Sequence, residues 1–321
     1  LEIMDHIKIM LRTLFKTENE LTLPISGTGS AAMESCFVNL IEQQDSILII
    51  ENGYFGLRMI DMATRLNSNV DTIKFEWGTP IDINMLDDKL KQKKYDIVAV
   101  VHAETSTGVL NPIAEISKLI SENTLFIVDA VTSFGTVDVN VDKWNIDAIY
   151  SCSQKGLSCP PGASPISFSN RAVEKLKNRK SKVPNWYLDL SMIINYWGGN
   201  SRVYHHTAPI NMMYALYQGL LNIIEEGHDN VINRHYKAHN HLKSNLETLG
   251  ISFLVDEKYR IPSLSSVIIP EGVKDLDIRS ALLNDYNIEI GGGLGPLAGK
   301  IWRIGLMGHT ARKENVDKLI N

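Results

Sequence analysis

The chain has 321 residues, 44% of them apolar and 21% charged, and a net charge of -5. That length exceeds what a single hydrophobic core supports, so two domains are expected. The acidic balance offers no basic field for nucleic acid, and no apolar run reaches the ~18 residues of a bilayer span, so neither nucleic acid nor membrane is an expected partner.

The elements follow in chain order. Ile3, Met4, Ile7, Ile9, Met10 and Leu14 mark an amphipathic helix. Residues 21–25 read as a strand, Ser26-Gly27-Thr28-Gly29-Ser30 as a tight turn and 31–41 as a helix. Strand 46–50, helix 57–66, strand 70–75, helix 83–91, strand 97–102 and helix 113–120 alternate; strands 125–129, 148–151 and 164–169 come after them. Short Ile- and Val-rich strands alternating with amphipathic helices specify an α/β fold with a mainly parallel sheet covered on both faces. Ligands bind such sheets at the carboxyl ends of the strands. Ser26, His102 to Thr105, Asp129 and Lys155 fall at those ends.

Two long helices, 211–227 and 229–249, precede an α+β stretch. It has strands at 252–255 and 265–269, a helix at 276–283, a strand end at 288–290, a strand at 300–306 and a helix at 314–320. The expected division is a large domain over 1–226 and a small one over 227–321. Cys36, Cys152 and Cys159 form no C-x-x-C pair, so no disulfide framework or zinc site is expected, and the thiols read as reduced ones in a cytoplasmic enzyme. A chain that opens on Leu1 inside a helix is expected to lack an N-terminal segment, which leaves organellar targeting open.

Lys155 stands in Ser153-Gln154-Lys155-Gly156, with no other charge between Asp147 and Arg171. A poorly solvated lysine has a lowered pKa and can form a Schiff base or carry protons; it can also simply cap a strand end. The turn at Thr28, Gly29 and Ser30 before a helix is a ready phosphate cradle. It is equally a plain strand-to-helix turn, or, as Gly27-x-Gly29-x-x-Ala32 with Glu51 on the next strand, a dinucleotide fingerprint that makes an NAD-dependent dehydrogenase the rival reading. Asp129 closes an apolar strand, either capping the next turn or keeping a pyridinium nitrogen protonated. Cradle, aspartate and, 26 residues later, lysine form the ordered trio of a pyridoxal phosphate enzyme.

Over essentially all 321 residues the chain resembles the class V, fold-type I aminotransferases, in the branch of alanine–glyoxylate, serine–glyoxylate and serine–pyruvate aminotransferases. The blocks that carry the resemblance are Ser26-Gly27-Thr28-Gly29, His102-Ala103-Glu104-Thr105-Ser106-Thr107-Gly108, Val128-Asp129-Ala130-Val131, Ser153-Gln154-Lys155, Tyr204-His205-His206-Thr207, Gly292-Gly293-Leu294-Gly295-Pro296 and Arg303-Ile304-Gly305. The resemblance implies a seven-stranded sheet, pyridoxal 5'-phosphate as cofactor, Lys155 as Schiff-base lysine and Asp129 at the pyridine nitrogen. It places Thr28, Gly29, Ser30 and Gln154 at the phosphate, Thr105 at the ring hydroxyl, Phe55 stacked on the ring, and Val131 beside the cofactor. Tyr204 and Thr207 would reach the phosphate from the second subunit of a homodimer.

Arg303, between Trp302 and Ile304, is expected to anchor a substrate carboxylate through two parallel hydrogen bonds; the other reading is a structural ion pair. His205 and His206, as neighbours on a strand, should point to opposite faces and not share a metal. Glu104 reads as a hydrogen-bonding residue. The implied reaction is a ping-pong transfer of an amino group from alanine or serine to glyoxylate or pyruvate. A related branch uses ureidoglycine and carries asparagine where this chain has Tyr204. All three cysteines precede residue 160, which argues against a cysteine desulfurase.

Overall fold

The computed structural model describes residues 2–66, 69–198 and 202–321. Its apolar runs become strands buried on both faces, and the amphipathic segments between them become the covering helices. In order these are α1 (Glu2–Phe15), β1 (Leu21–Gly27), α2 (Gly29–Leu40), β2 (Ser46–Glu51), α3 (Tyr54–Arg65), β3 (Asn69–Lys74), α4 (Ile83–Gln92) and β4 (Ile97–Val101). A short hairpin, β5 (Ala103–Glu104) with β6 (Val109–Leu110), leads through α5 (Ile113–Ile116) to β7 (Leu125–Asp129), β8 (Ala148–Tyr150) and β9 (Gly162–Phe168).

The seven long strands form one sheet in the order β1-β9-β8-β7-β4-β2-β3. Only β9 runs against its neighbours; the other contacts are parallel. The carboxyl ends of β1, β4, β7 and β8 therefore open on one edge, where ligands bind in such sheets.

Helices α6 (Asn170–Lys177), α7 (Leu190–Trp197), α8 (Ile210–Glu226) and α9 (His228–Thr248) follow. The chain then forms β10 (Leu264–Ile268), α10 (Asp275–Tyr286), β11 (Gly291–Gly292), β12 (Ile301–Gly305) and α11 (Lys313–Ile320). Strands β10, β12 and β11 make a separate antiparallel sheet. The main core surrounds the large sheet, and a second one gathers Leu242, Leu246, Val267, Trp302 and Ile304. A third cluster joins Ala103 and Val137 to Ile261 and Leu264, so an apolar seam ties the small sheet to the ligand edge of the large one.

Several local expectations are corrected. Residues 252–255 make no strand; a single bridge joins Phe253 to Val267. The helix expected over 113–120 is α-helical only to Ile116 and tightens to a 3-10 turn at Ser117–Leu119. Residues 288–290 stop short of β11. Helices α6 and α7 went unread, although each has a sequence signal: Ser169 caps Ala172 N–H and Asp189 caps Ser191 N–H.

At the sheet edge opposite the ligand side, Asp147 is almost wholly buried. Its carboxylate accepts from Phe126 N–H (2.9 Å), Ser169 Oγ (2.7 Å), and Arg171 Nε (3.0 Å) and Nη2 (2.5 Å), tying β7, β8 and β9 together. Asp147→Ala strands these donors, and the expected cost is about 3 kcal/mol in urea unfolding. A loss below about 1 kcal/mol would show that the network does not bind the strands.

Candidate active site

At the ligand edge the ends of β7 and β8 are tied by Ala130 N–H to the Tyr150 carbonyl (2.8 Å) and Ser151 Oγ to the Ala130 carbonyl (3.0 Å). Asp129, the last residue of β7, is buried with them. Its Oδ1 accepts from Val131 N–H at 2.7 Å, which is the turn cap foreseen as one alternative. Among the described residues its buried Oδ2 has no hydrogen bond of normal length, and neither has the buried Tyr150 hydroxyl, which is close enough to Asp129 to act on it only weakly. Burial pushes the Asp129 carboxyl up to about 7, against the pull of the Val131 amide, Tyr150 and the positive charge of Arg58. A buried carboxylate oxygen with no donor is an incomplete arrangement, and a ring N–H is the type of group that completes it.

Lys155 lies in the turn after β8. Cys159 N–H bonds the Ser153 carbonyl (2.9 Å), Ser158 N–H bonds the Lys155 carbonyl (3.1 Å) and Ser153 Oγ bonds the Pro160 carbonyl (2.6 Å). The turn is pressed against the loop that follows β7: a Cβ on Gly156 would stand 2.2 Å from the Phe134 carbonyl oxygen, so only glycine fits. Ser158 holds a left-handed φ of +59° and accepts from His309 N–H at 2.7 Å, while Gly308 N–H donates to His235 Nε2 at 2.9 Å. The small module thus rests directly on the lysine turn. The half-buried Lys155 amine has no hydrogen-bond or ion-pair partner among the described residues. Its pKa is lowered, first by burial; Cys152 and Asp129 act the other way and Arg303 adds to the lowering.

The phosphate cradle foreseen at Thr28, Gly29 and Ser30 is the start of α2. Thr28 is its exposed N-cap and makes no side-chain capping bond. The first amides of such a helix have no intrahelical acceptor. Gly29 is wedged against the β7 and β8 ends: a Cβ there would lie 3.1 Å from Cys152 Cβ and 3.3 Å from Val131 Cγ2. Gln154, exposed, shares the turn of Lys155. Glu51, the acidic residue of the dinucleotide fingerprint, is buried and accepts from Trp77 Nε1 at 2.6 Å, so it is not free for a ribose hydroxyl.

Phe55 is the second residue of α3, whose start is capped by a buried carboxylate. Glu104 accepts from Phe55 N–H (3.2 Å), Gly56 N–H (3.4 Å), Ser106 N–H (3.0 Å) and Ser106 Oγ (2.7 Å), the hydrogen-bonding role read for it. Burial raises its pKa, and these bonds counter the rise. Next to it Thr105 Oγ1 lies 2.5 Å from Thr132 Oγ1. From β12, Arg303 crosses to this edge. Its Nε donates to the Gly292 carbonyl (2.8 Å) and its Nη1 to the Thr105 carbonyl (3.1 Å). No carboxylate pairs with it among the described residues, so the structural ion pair is not formed, and its charge is open to an incoming anion. Burial lowers its pKa and Glu104 raises it.

Tyr204 is 73% exposed, and its hydroxyl lies 3.1 Å from Thr207 Oγ1, so neither side chain is buried in the site of its own chain. The histidine pair departs from expectation. The segment is irregular, not a strand, and the two Nδ1 atoms lie 2.7 Å apart. His205 Nε2 faces the Trp186 carbonyl at 3.3 Å, and His206 Nε2 faces Ser26 Oγ at 2.7 Å. A carbonyl only accepts, which puts a proton on His205 Nε2; with both rings neutral, Ser26 donates to His206, His206 to His205 and His205 to Trp186. Among the described residues no group of three potential metal ligands converges.

One residue at this edge escaped the sequence reading. Arg58, one turn into α3, donates from Nη1 to Ser30 Oγ at 2.8 Å. Its position three residues after Phe55 puts both on one helix face, a signal that was present in the sequence.

Comparison with known proteins follows the same line. The family described as aminotransferase class-V matches residues 1–319. The chain is 39% identical to a mouse (Mus musculus) alanine–glyoxylate aminotransferase, over 99% of this chain and 78% of that protein. Its fold superposes on the crystal structure of an alanine–glyoxylate aminotransferase from Nostoc sp. with a TM-score of 0.97 and 50% identity, covering 99% of this chain and 85% of that one. A ureidoglycine–glyoxylate aminotransferase from Bacillus subtilis also gives a TM-score of 0.97, at 39% identity, covering 99% and 82%.

The raised Asp129 pKa has a measurable consequence without cofactor. Between about pH 4 and 7 the folded chain keeps a proton that the unfolded chain has lost, so stability falls as pH rises through that window and levels off above it. Asp129→Asn removes this dependence. The melting-temperature gap between Asp129→Asn and the native apoprotein should open from pH 4 to pH 7; a gap independent of pH would contradict the burial argument.

Proposed function

The chain belongs to the class V aminotransferases, which are pyridoxal phosphate enzymes, and from that premise we propose that it transfers the amino group of alanine or serine to glyoxylate or pyruvate, with Lys155 as the residue that holds the cofactor covalently. The observation that carries the assignment of residues is a pair of groups at one edge that are unsatisfied among the described residues: the Lys155 amine without a partner, and the buried Asp129 Oδ2 without a hydrogen bond of normal length. These fit the two ends of the cofactor's reactive ring. When bound, pyridoxal phosphate supplies an aldehyde that condenses with amines and a ring that withdraws the electron pair left at the substrate's α-carbon.

The chain's own residues do the rest. Asp129 Oδ2 would accept the ring N–H and keep that nitrogen protonated. Thr28, Gly29, Ser30 and Gln154 would hold the phosphate at the α2 N-terminus. Phe55 would offer its ring as a stacking face, and Thr105 and Val131 would help to hold the cofactor. Arg303, held by two carbonyls and by no carboxylate, binds the carboxylate of the amino acid in one half of the reaction and of the oxo acid in the other. The lowered pKa of Lys155 makes its free amine available to take the α-proton and to return it.

The second copy of the chain is part of this proposal. Trp186, Val203, Tyr204, Ile210 and Tyr214 are exposed on or beside the segment that carries Thr207, an apolar face of the kind that pairs with another subunit. In a homodimer Tyr204 and Thr207 would extend to the partner's phosphate site. A second donor, ureidoglycine, is favoured by the likeness to the Bacillus protein, and glyoxylate is common to both readings.

Purified protein with added pyridoxal phosphate should show an absorbance band that Lys155→Ala lacks. L-alanine or L-serine should convert it and glyoxylate or pyruvate restore it. Arg303→Met should raise KM for amino and oxo acid alike by about 10- to 100-fold, the worth of hydrogen bonds to a charged group. Faster turnover of ureidoglycine than of alanine and serine would move the donor to the second reading. A folded chain with no Lys155-dependent band sinks the residue assignment.

A further inference from the structure

Arg58 is a cation without a counter-ion at a place where the fold has reasons to hold one. It lies on α3, half-buried, and pairs with no carboxylate among the described residues. Three contacts fix its direction. Nη1 donates to Ser30 Oγ at 2.8 Å, and the guanidinium carbon sits 4.8 Å from the Phe55 ring centroid and 5.7 Å from that of Tyr54. The aromatic faces hold the positive charge in place without neutralising it. Because Ser30 accepts from Arg58, its hydroxyl proton is free to donate to a further acceptor at the start of α2.

We propose that Arg58 is the phosphate-recognition residue of this chain, supplying the full positive charge that the α2 N-terminus lacks and making the site selective for the phosphorylated cofactor over its unphosphorylated form. The proposal rests on the reading that the start of α2 holds the cofactor phosphate. A phosphate monoester carries about -1.5 to -2 charges at neutral pH, whereas a helix N-terminus presents about half a positive charge. Thr28, Gly29, Ser30 and Gln154 add donors and no charge. Of the other cations at the edge, Lys155 serves the aldehyde and Arg303 the substrate carboxylate. Among the described cations Arg58 alone is hydrogen-bonded to the cradle, and it acts there both directly and by orienting Ser30.

The competing explanation is that Arg58 only braces Phe55, and the choice of ligand separates the two. Equilibrium binding of pyridoxal phosphate and of pyridoxal, followed by absorbance, is compared in the full chain, Arg58→Met and Arg58→Lys. Phosphate recognition predicts that Arg58→Met weakens pyridoxal phosphate about 10- to 100-fold and pyridoxal less than about 3-fold. Arg58→Lys, which keeps the charge, should recover part of the loss. Raising ionic strength should weaken pyridoxal phosphate binding less in Arg58→Met than in the native chain. Inorganic phosphate should compete with pyridoxal phosphate for the native chain and much less for Arg58→Met. Retained pyridoxal affinity also reports that the variant site is folded. Equal weakening of both ligands, or of neither, overturns the proposal. If the native chain itself gives no Lys155-dependent band with pyridoxal phosphate, the reading beneath the proposal fails first, and the variant comparison distinguishes that case.

Discussion

The site depends on one buried carboxylate. Glu104 leaves the sheet edge on the β5–β6 hairpin and accepts the Phe55 and Gly56 amides of the first turn of α3 together with both donors of Ser106, whose hydroxyl oxygen takes the Tyr54 amide. An anion in that position satisfies orphan donors and meets the positive end of the helix, which explains how a carboxylate with no exposure is tolerated. Its consequences spread outward. The hydrogen bonds set where α3 begins, hence where Phe55 and Arg58 project, and they fix the hairpin whose Thr105 carbonyl receives Arg303 from the small module. Gly53 has no side chain for the same reason: a Cβ there would stand 2.2 Å from Glu104 Cγ.

Around that point the edge combines satisfied and unsatisfied groups. Asp147 at the far edge and Glu104 at this one have their donors, whereas His102 Nδ1, Ser133 Oγ and the Tyr150 hydroxyl are buried without a partner among the described residues. Among the same residues the groups assigned to chemistry are also incomplete: Asp129 Oδ2 and the Lys155 amine have no hydrogen-bond partner, Arg303 leaves part of its fork unused, and Arg58 has no counter-ion. Binding a dianionic, ring-bearing cofactor and a carboxylate substrate would satisfy all four at once. Burial without a full set of partners is costly, most plainly at Asp129.

Much of this was legible in the sequence because it is local. The central strands β2, β4 and β7 are nearly continuous apolar runs, and Asp129 and Lys155 stand at strand ends with little charge around them. What was missed depends on distance or on short signals. Arg303 was read as an anchor, but its bond to a carbonyl 198 residues away was not foreseen, and Arg58, which meets Ser30 across 28 residues, went unread; no short window of sequence contains either contact. Helices α6 and α7 have eight residues each, too few for a firm period, and only their capping residues announce them. The histidine pair was misjudged because a strand was assumed where the backbone is irregular, and the turn that brings the rings together has no periodicity to read.

That pair has a property neither ring would have alone. In the chain from Ser26 through His206 and His205 to Trp186, every link has one donor and one acceptor, and the central link is nitrogen to nitrogen at 2.7 Å. The order of donors runs one way, from the Ser26 hydroxyl at the end of β1 to the Trp186 carbonyl, so one tautomer serves each neutral ring. The segment bearing Tyr204 and Thr207 is thereby anchored to the sheet edge through two rings whose orientations depend on each other.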